Sequence, residues 1–259
     1  MEVALSNLKE RNKTMKDISL LELLKSGAHF GHNTSRWNPK MKQYIFASRG
    51  DIHILDLEKT RKGLLKAAEF AKETASKGGL ILFVGTKKQT RELIKAAAVS
   101  CGMPFVNVRW LGGTFTNFKT IQKTFRKLEK LESLKASGDL QTKYTKKEAL
   151  MIEREIEKLK KLFEGISSIK RLPEAIFVTD VKHEGIAVKE ANKSKVKTIG
   201  VVDTNTSPDG VDYVIPCNDD ATKATELVVN FMAAAINEGR QTQITVSTAP
   251  AVVKAETKS

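Results

Sequence analysis

Short runs of apolar residues, hardly interrupted by polar ones, recur along most of the chain. They are rich in Ile, Val and Phe, which is typical of strands that are buried on both faces of a parallel sheet. Six such strands are predicted, at residues 52–57, 80–85, 104–108, 175–180, 197–203 and 212–216. Amphipathic stretches separate them, and this order predicts an α/β fold with right-handed crossovers.

Three helices are predicted within this alternation, at residues 58–77, 86–102 and 218–238. The first ends at a Gly-Gly pair, which terminates helices. The second begins with a capping-box pattern formed by Thr86 and Gln89. The third is capped by the Asn-Asp-Asp sequence at residues 218–220. Residues 241–259 lack a long periodic pattern and are predicted to be a disordered tail.

The alternation of strands and helices is interrupted between Phe118 and Arg171. Apolar residues recur at helical spacing up to a Ser-Gly-Asp break at 137–139, and resume after a capping box formed by Thr145 and Glu148. Two antiparallel helices in a short coiled-coil hairpin are predicted. The predicted organisation is an N-terminal arm at 1–16, an α/β domain at 17–117 and 172–240, the hairpin insertion at 118–171 and the tail at 241–259.

The net charge of +14 is distributed unevenly. Residues 1–116 contain 20 Lys and Arg against 10 acids, residues 117–171 contain 15 against 8, and residues 172–239 contain 6 against 11. A basic excess indicates a polyanionic partner, because neutralised phosphates release condensed counterions. A lysine-rich solvated surface is the alternative. We expect the acidic segment from Leu172 to Glu238 to face solvent or a protein partner.

Several other classes of protein are disfavoured by the composition. The two cysteines, Cys101 and Cys217, lie far apart without a second ligand near either, so neither a disulfide framework nor a zinc finger is predicted. No run reaches the roughly 18 apolar residues of a membrane span, and the N-terminal residues do not have the pattern of a targeting segment. We expect a cytoplasmic protein without membrane contact.

Two features keep an enzyme open as an alternative. The loop at Thr86–Lys88 follows a predicted strand and opens a helix, where backbone N–H groups favour phosphate, but neither glycine-rich nucleotide-binding pattern is present. Carboxylates near predicted strand ends could hold Mg²⁺, although turns and helix caps also explain them. These carboxylates are Asp180, Asp203, Asp209, Asp212, Asp219 and Asp220.

The pair His29 and His32 has the spacing of a zinc site on a helical turn, but no third ligand lies close in sequence. Gly27 and Gly31 favour a tight loop over a regular helix at this point. We therefore predict no metal site and no catalytic residue here, and interpret both histidines as packing or hydrogen-bonding residues.

Two stretches combine cations with an aromatic residue and a turn, RWNPKMK and VRWLGGTFTNFK. Guanidinium and ammonium groups pair with phosphates, Thr and Asn reach sugar or phosphate oxygens, and the Gly-Gly turn allows close approach of an RNA backbone. Whether a tryptophan stacks on a base or packs inside is left open. The predicted RNA-binding residues, with those of the hairpin, are Arg36, Trp37, Lys40, Lys42, Arg49, Arg109, Thr116, Asn117, Lys119, Lys123, Arg126, Lys127, Lys146 and Lys147.

These stretches belong to a series of motifs that runs in order from Ile18 to Arg240. The series is GAHFGHNTSRWNPKMKQYIF, HILDLEKT, ILFVGTKKQ, NVRWLGGTFTNFKTI, YTKKEAL, LPEAIFVTD, EGIAVKEANK, VVDTNTSPDGVDYVIPCNDDA and INEGR. It closely resembles the bacterial family of small-subunit ribosomal protein two. The family usually has Gln at Asn33, Met-Leu or Met-Met at Thr114-Phe115, and Gly at Cys217, but the cations are retained.

The resemblance implies a flavodoxin-like domain with an inserted coiled-coil hairpin. It also implies a non-catalytic protein at the head–body junction of the small ribosomal subunit, bound to small-subunit ribosomal RNA and neighbouring proteins, where ribosomal protein S1 docks and helps to capture mRNA. No cofactor is predicted, and a structural Mg²⁺ shared with the RNA is left open. The alternatives are a Rossmann-like enzyme with a phosphorylated substrate and a free-standing RNA-binding regulator.

Overall fold

The computed structural model describes residues 18–167 and 169–248, in which eight strands form two sheets. The strands are β1 (Phe30–Asn33), β2 (Ile45–Arg49), β3 (Ile52–Leu55), β4 (Ile81–Val84), β5 (Phe105–Val106), β6 (Ala175–Val178), β7 (Lys197–Val202) and β8 (Tyr213–Pro216). The larger sheet is parallel, in the order β5-β4-β6-β7-β8, and the smaller is antiparallel, in the order β1-β3-β2.

Helices connect the strands and cover the parallel sheet. They are α1 (Leu20–Lys25), α2 (Leu57–Ser76), α3 (Arg91–Cys101), α4 (Phe118–Ala136), α5 (Asp139–Lys143), α6 (Lys146–Phe163), α7 (Gly185–Lys193) and α8 (Thr222–Thr248), and two 3₁₀ turns lie at Thr34–Arg36 and Pro39–Tyr44. None of the helices in the described ranges is long and apolar enough to cross a membrane.

The continuous apolar runs exist because both faces of the parallel sheet are covered. In β4, Ile81 and Phe83 belong to a core formed with α2, α3 and α8, whereas Leu82 and Val84 belong to a second core on the opposite face. The second core also contains α7 and the base of the hairpin. The prediction of an α/β, flavodoxin-like sheet flanked by helices is confirmed.

The first predicted strand, at residues 52–57, was assigned to the wrong sheet. It forms β3, which pairs antiparallel with β1 and β2 in the small sheet. Only one side of this sheet is well covered, since Ile52 is 44% exposed while Leu55 is buried. The loop predicted around His29 and His32 contains strand β1, where Gly31 lies so close to Thr204 that a Cβ would be 2.5 Å from its methyl group.

Two helix predictions also require correction. The capping box at Thr86 and Gln89 is absent: α3 begins at Arg91, and the Thr86 hydroxyl donates to Glu184, which is distant in sequence. Helix α8 continues ten residues beyond its predicted end, so residues 241–248 of the predicted disordered tail are helical. The predicted arm at 1–16 and residues 249–259 lie outside the described part of the chain.

The inserted segment forms an antiparallel pair of helices, α4 and α6, with the unpredicted short helix α5 between them. The capping box formed by Thr145 and Glu148 is confirmed. The Phe125 and Phe163 rings pack edge to face at the base, with centroids 4.9 Å apart. Ion pairs link the two helices at the surface. Supercoiling of the pair as a coiled coil stays a prediction.

Candidate nucleic-acid interface

The first cationic segment, residues 36–49, is shaped by two 3₁₀ turns and the β2–β3 hairpin. The Asn38 side chain accepts from the Lys40 backbone N–H at 3.0 Å, and Pro39 occupies the first position of the second turn. Met41 is fully buried in the second core, so the neighbouring Lys40 and Lys42 side chains are exposed. Local caps and one anchor therefore present the cations to solvent.

The predicted RNA-binding residues of this segment differ in availability. Arg36, Lys42 and Arg49 are exposed, and none of them pairs with a carboxylate within residues 18–167 and 169–248. Lys40 forms an ion pair with the exposed Asp209. Trp37 is partly buried with its ring centroid 5.1 Å from that of His53, so one part of its surface contacts the protein itself.

The second cationic segment, residues 109–117, is held by one buried carboxylate from α7. Glu190 Oε1 accepts from the Gly113 N–H at 2.7 Å and from Trp110 Nε1 at 3.3 Å. Its Oε2 accepts from the Phe115 N–H at 3.0 Å and from the Thr116 N–H and hydroxyl, both at 3.3 Å. Burial alone would raise the pKa of Glu190, but the three backbone N–H groups hold it below its usual value.

This carboxylate decides which groups of the loop can reach a partner. The Trp110 ring is buried and packs edge to face on Phe115, with centroids 5.0 Å apart, so it packs inside the protein. The side chains of Arg109, Thr116 and Asn117 are exposed. No local sequence pattern marks Glu190, because its hydrogen-bond partners lie more than 70 residues away.

The predicted hairpin residues all have exposed side chains; they are Lys119, Lys123, Arg126, Lys127, Lys146 and Lys147. Lys127 pairs with Glu155 at 2.5 Å, and two further interhelical pairs make the hairpin surface mixed in charge rather than uniformly basic. Lys146 and Lys147 lie in the first turn of α6, where the helix dipole disfavours cations. Helix stability therefore does not explain why lysines occupy these two positions.

A cluster of charged side chains lies at the carboxyl edge of the parallel sheet. Lys87 Nζ is 2.7 Å from an Asp180 oxygen and 3.0 Å from oxygens of Asp219 and Asp220. Beside it, His32 Nδ1 is 3.1 Å from Asp203, and His32 Nε2 is 3.4 Å from Asp220. Asp209 and Asp212, predicted with this group, lie elsewhere and pair with other lysines.

Burial, repulsion between carboxylates and hydrogen bonds together set the pKa values in this cluster. Burial, together with the charges of Asp180 and Asp203, raises the pKa of Asp219 to about 7. Burial would lower the pKa of Lys87, but its hydrogen bonds to Asp180 and Asp220 raise it above its ordinary value. The hydrogen bond to Asp203 likewise raises the pKa of His32. Lys87 is thus a structural counter-charge for the buried carboxylates.

This arrangement disfavours the phosphate site predicted at Thr86–Lys88. The Thr86 N–H and hydroxyl already donate to Glu184 at 2.9 and 2.6 Å, and carboxylates surround the Lys87 ammonium. An anion placed there would meet like charge. Ligand atoms of His32, Asp219 and Asp220 lie within 4.8 Å of one another, but the Lys87 ammonium already pairs with both carboxylates. The prediction from the sequence that the chain has no metal site stays a prediction.

The acidic segment from Leu172 to Glu238 was predicted to face solvent or a protein partner. This prediction was wrong for the carboxylates that are buried. Its buried carboxylates are Asp180, Glu184, Glu190, Asp203 and Asp219. Exposed ones such as Asp209 and Asp212 pair with Lys40 and Lys197. The acids therefore serve internal contacts, and the outer surface is more cationic than the regional sums indicate.

Comparison with protein families agrees with the motif series. A family model described as Ribosomal protein S2 matches residues 23–239, which include both sheets, the hairpin and the two cationic segments. The match covers most of the chain. The chain belongs to the ribosomal protein S2 family.

Proposed function

We propose that this chain holds small-subunit ribosomal RNA through three cationic surfaces, which are residues 36–49, the 109–117 loop and the hairpin of α4 and α6. The S2 family is a family of structural, non-enzymatic proteins of the small ribosomal subunit. The single observation that supports the RNA contact is the exposure of the predicted cations. Lys40 and Lys127 pair with carboxylates, and the other predicted cations have no carboxylate partner in the described part of the chain.

The proposed mechanism is electrostatic clamping. Exposed guanidinium and ammonium groups neutralise phosphates, while rigid turns set their spacing. Met41 fixes the first cationic segment on the domain and Glu190 fixes the second, so both surfaces are formed before RNA arrives. Binding by preformed surfaces avoids the entropic cost of ordering loops.

The proposal also includes what the family resemblance implies about place and partners. We propose that the chain lies in cytoplasmic ribosomes at the head–body junction, beside neighbouring small-subunit proteins, and that ribosomal protein S1 docks on it during translation. We propose no resident cofactor, and a Mg²⁺ ion shared with the RNA is compatible with the mechanism. Loss of S1 from subunits that lack this chain, and its return on adding the chain back, would support the docking proposal.

Two alternative functions must be distinguished from this one by experiment. An enzyme acting on a phosphorylated substrate at Thr86–Lys88 is disfavoured by the carboxylates around Lys87 and by the engaged donors of Thr86. A free-standing RNA-binding regulator has the same surface requirements as a ribosomal protein. It differs in stoichiometry, because only a structural component is present once in every subunit.

Sedimentation of a cell lysate through a sucrose gradient separates these functions. We expect the chain in near-equal amount with small subunits, and its loss from them at high salt, because phosphate contacts weaken as salt rises. A chain found only at the top of the gradient would overturn the proposal.

Charge-neutralising variants then test the surfaces. Replacing Arg36, Lys42 and Arg49 by Gln should reduce incorporation into small subunits in cells that also express the wild-type chain, because the two forms then compete for the same subunits. The matched control removes three exposed lysines of helices α2 and α8, Lys62, Lys66 and Lys223, and should incorporate as wild type. Equal incorporation of both variants would remove the first cationic segment from the proposed interface.

A further inference from the structure

A stripe of exposed lysines follows one side of α7 and the turn before it. Lys182, Lys189 and Lys193 are exposed, with Ile186, 63% exposed, between them. Helical residues follow one another at about 100°, so positions 186, 189 and 193 lie within roughly 60° of one another. None of the three lysines pairs with a carboxylate among the residues that the structure describes. We call these three lysines the α7 stripe.

The α7 stripe borders the 109–117 loop. Glu190, on the adjacent side of the same helix, accepts the hydrogen bonds of the loop and fixes it against α7. The same helix therefore carries the anchor of the loop and, roughly 60–100° around its axis, Lys189 and Lys193. Arg109 and Thr116 of the loop are exposed beside this anchor, so the loop and the stripe form neighbouring parts of one cationic face.

Helix stability explains only part of the stripe. A cation in the last turn complements the helix dipole, which accounts for Lys193. Lys182 precedes the N-terminus of α7, where the dipole disfavours a cation, and Lys189 lies in the middle of the helix. Lys195, just after the helix, has a φ of +57°, a conformation in which glycine is usual because a side chain costs about 1 kcal/mol.

We propose that the α7 stripe binds the sugar-phosphate backbone of the same RNA as the 109–117 loop. The inference rests on the proposed function, since it extends the loop's interface. Charge complementarity favours RNA over a protein partner, because lysine is depleted in protein–protein interfaces whereas phosphates attract it. No acidic side chain lies among the exposed residues of this helix face, and the only large apolar one is Ile186.

Equilibrium binding of the full chain to purified small-subunit ribosomal RNA, measured from low to high salt, tests the inference. Replacing Lys182, Lys189 and Lys193 by Gln should weaken binding about tenfold at physiological salt and reduce the salt slope by about 2, since each lost phosphate contact removes about 0.7–0.9. The triple Arg variant keeps the charges and should bind as wild type. Thermal unfolding should be unchanged, because these side chains make no internal ion pair.

The control variant removes the same charge from the other side of the sheet, at Lys62, Lys66 and Lys223. Its affinity should change less than threefold, and its salt slope should stay close to that of the wild type. If the stripe variant behaves as this control does, the inference is overturned, while RNA binding by the loop stands. If the wild-type chain does not bind the RNA, the proposed function fails and the inference fails with it.

Discussion

Replacing Glu190 by Gln removes the negative charge that organises the 109–117 loop while it nearly preserves side-chain volume. The carboxylate accepts hydrogen bonds from three backbone N–H groups, one indole N–H and one hydroxyl. A glutamine offers one acceptor oxygen, and its amide nitrogen is a donor that would face other donors. The glutamine oxygen can therefore keep the donors of one carboxylate oxygen only, which is two or three of the five.

The size of the effect follows from the donors that lose their acceptor. The Phe115 N–H lies in a buried residue, whereas Thr116 is exposed and can be solvated. A buried donor without a partner costs about 1–3 kcal/mol, and hydrogen bonds to a charged acceptor are worth about 1.5–3 kcal/mol each. Allowing for partial solvation, we expect Glu190→Gln to reduce the free energy of unfolding by about 2–4 kcal/mol.

Urea unfolding and amide hydrogen exchange measure this effect globally and at the loop. The amides of Gly113, Phe115 and Thr116 should exchange faster in the Gln variant than in the wild type. Glu226→Gln is the matched control, because this carboxylate is exposed on α8. The control should change stability by less than about 0.5 kcal/mol.

The dependence on pH gives an independent test of the charge. The pKa of Glu190 is lowered in the folded protein from its ordinary value of 4.5, so the carboxylate stabilises the fold above that pH. This contribution is lost as the pH falls through the lowered pKa. The difference between the wild type and Glu190→Gln should therefore be largest at neutral pH and shrink below about pH 4.5. Unchanged stability and exchange at neutral pH would refute the role given to Glu190.

Three further substitutions test other contacts. Lys87→Met should destabilise the fold by about 3–5 kcal/mol in urea unfolding, since it leaves buried carboxylates without a counter-charge; exposed Lys88→Met should not. Phe125→Ala should cost about 3–5 kcal/mol by calorimetry, because its ring is buried at the hairpin base. Gly31→Ala should lower the melting temperature, since its Cβ would overlap a neighbouring threonine, whereas Gly112→Ala has open space and should not.

The elements that the sequence predicted well are those determined by local patterns. The strands of the parallel sheet are continuous apolar runs because both faces are buried, and the pair Thr145 and Glu148 forms a cap within four residues. Strand β3 was placed in the wrong sheet, because an apolar run does not specify its partner strands. Helix α8 was predicted too short, because its last turns are polar and carry no strong periodicity.

The candidate interface could be predicted only in part, for a related reason. Cations beside turns are visible in the sequence, and the predicted side chains other than that of Trp37 are exposed. The groups that position or neutralise them are distant in sequence: Glu190 holds the loop across more than 70 residues, and Asp209 pairs with Lys40 across 169. The apparent capping pair at Thr86 failed because Glu184, 98 residues away, competes for its hydroxyl.

The packing of α8 on α2 has a consequence for the synthesis of the chain. The two helices lie close together, since a Cβ at Gly239 would be 2.2 Å from the Lys72 carbonyl oxygen, and Lys72 also pairs with Glu238 at 2.9 Å. One of the two hydrophobic cores therefore stays open until the last helix has been translated, whereas the hairpin needs only local contacts. We expect a nascent chain shortened before Thr222 to expose the apolar face of α2 and to be a substrate for chaperones.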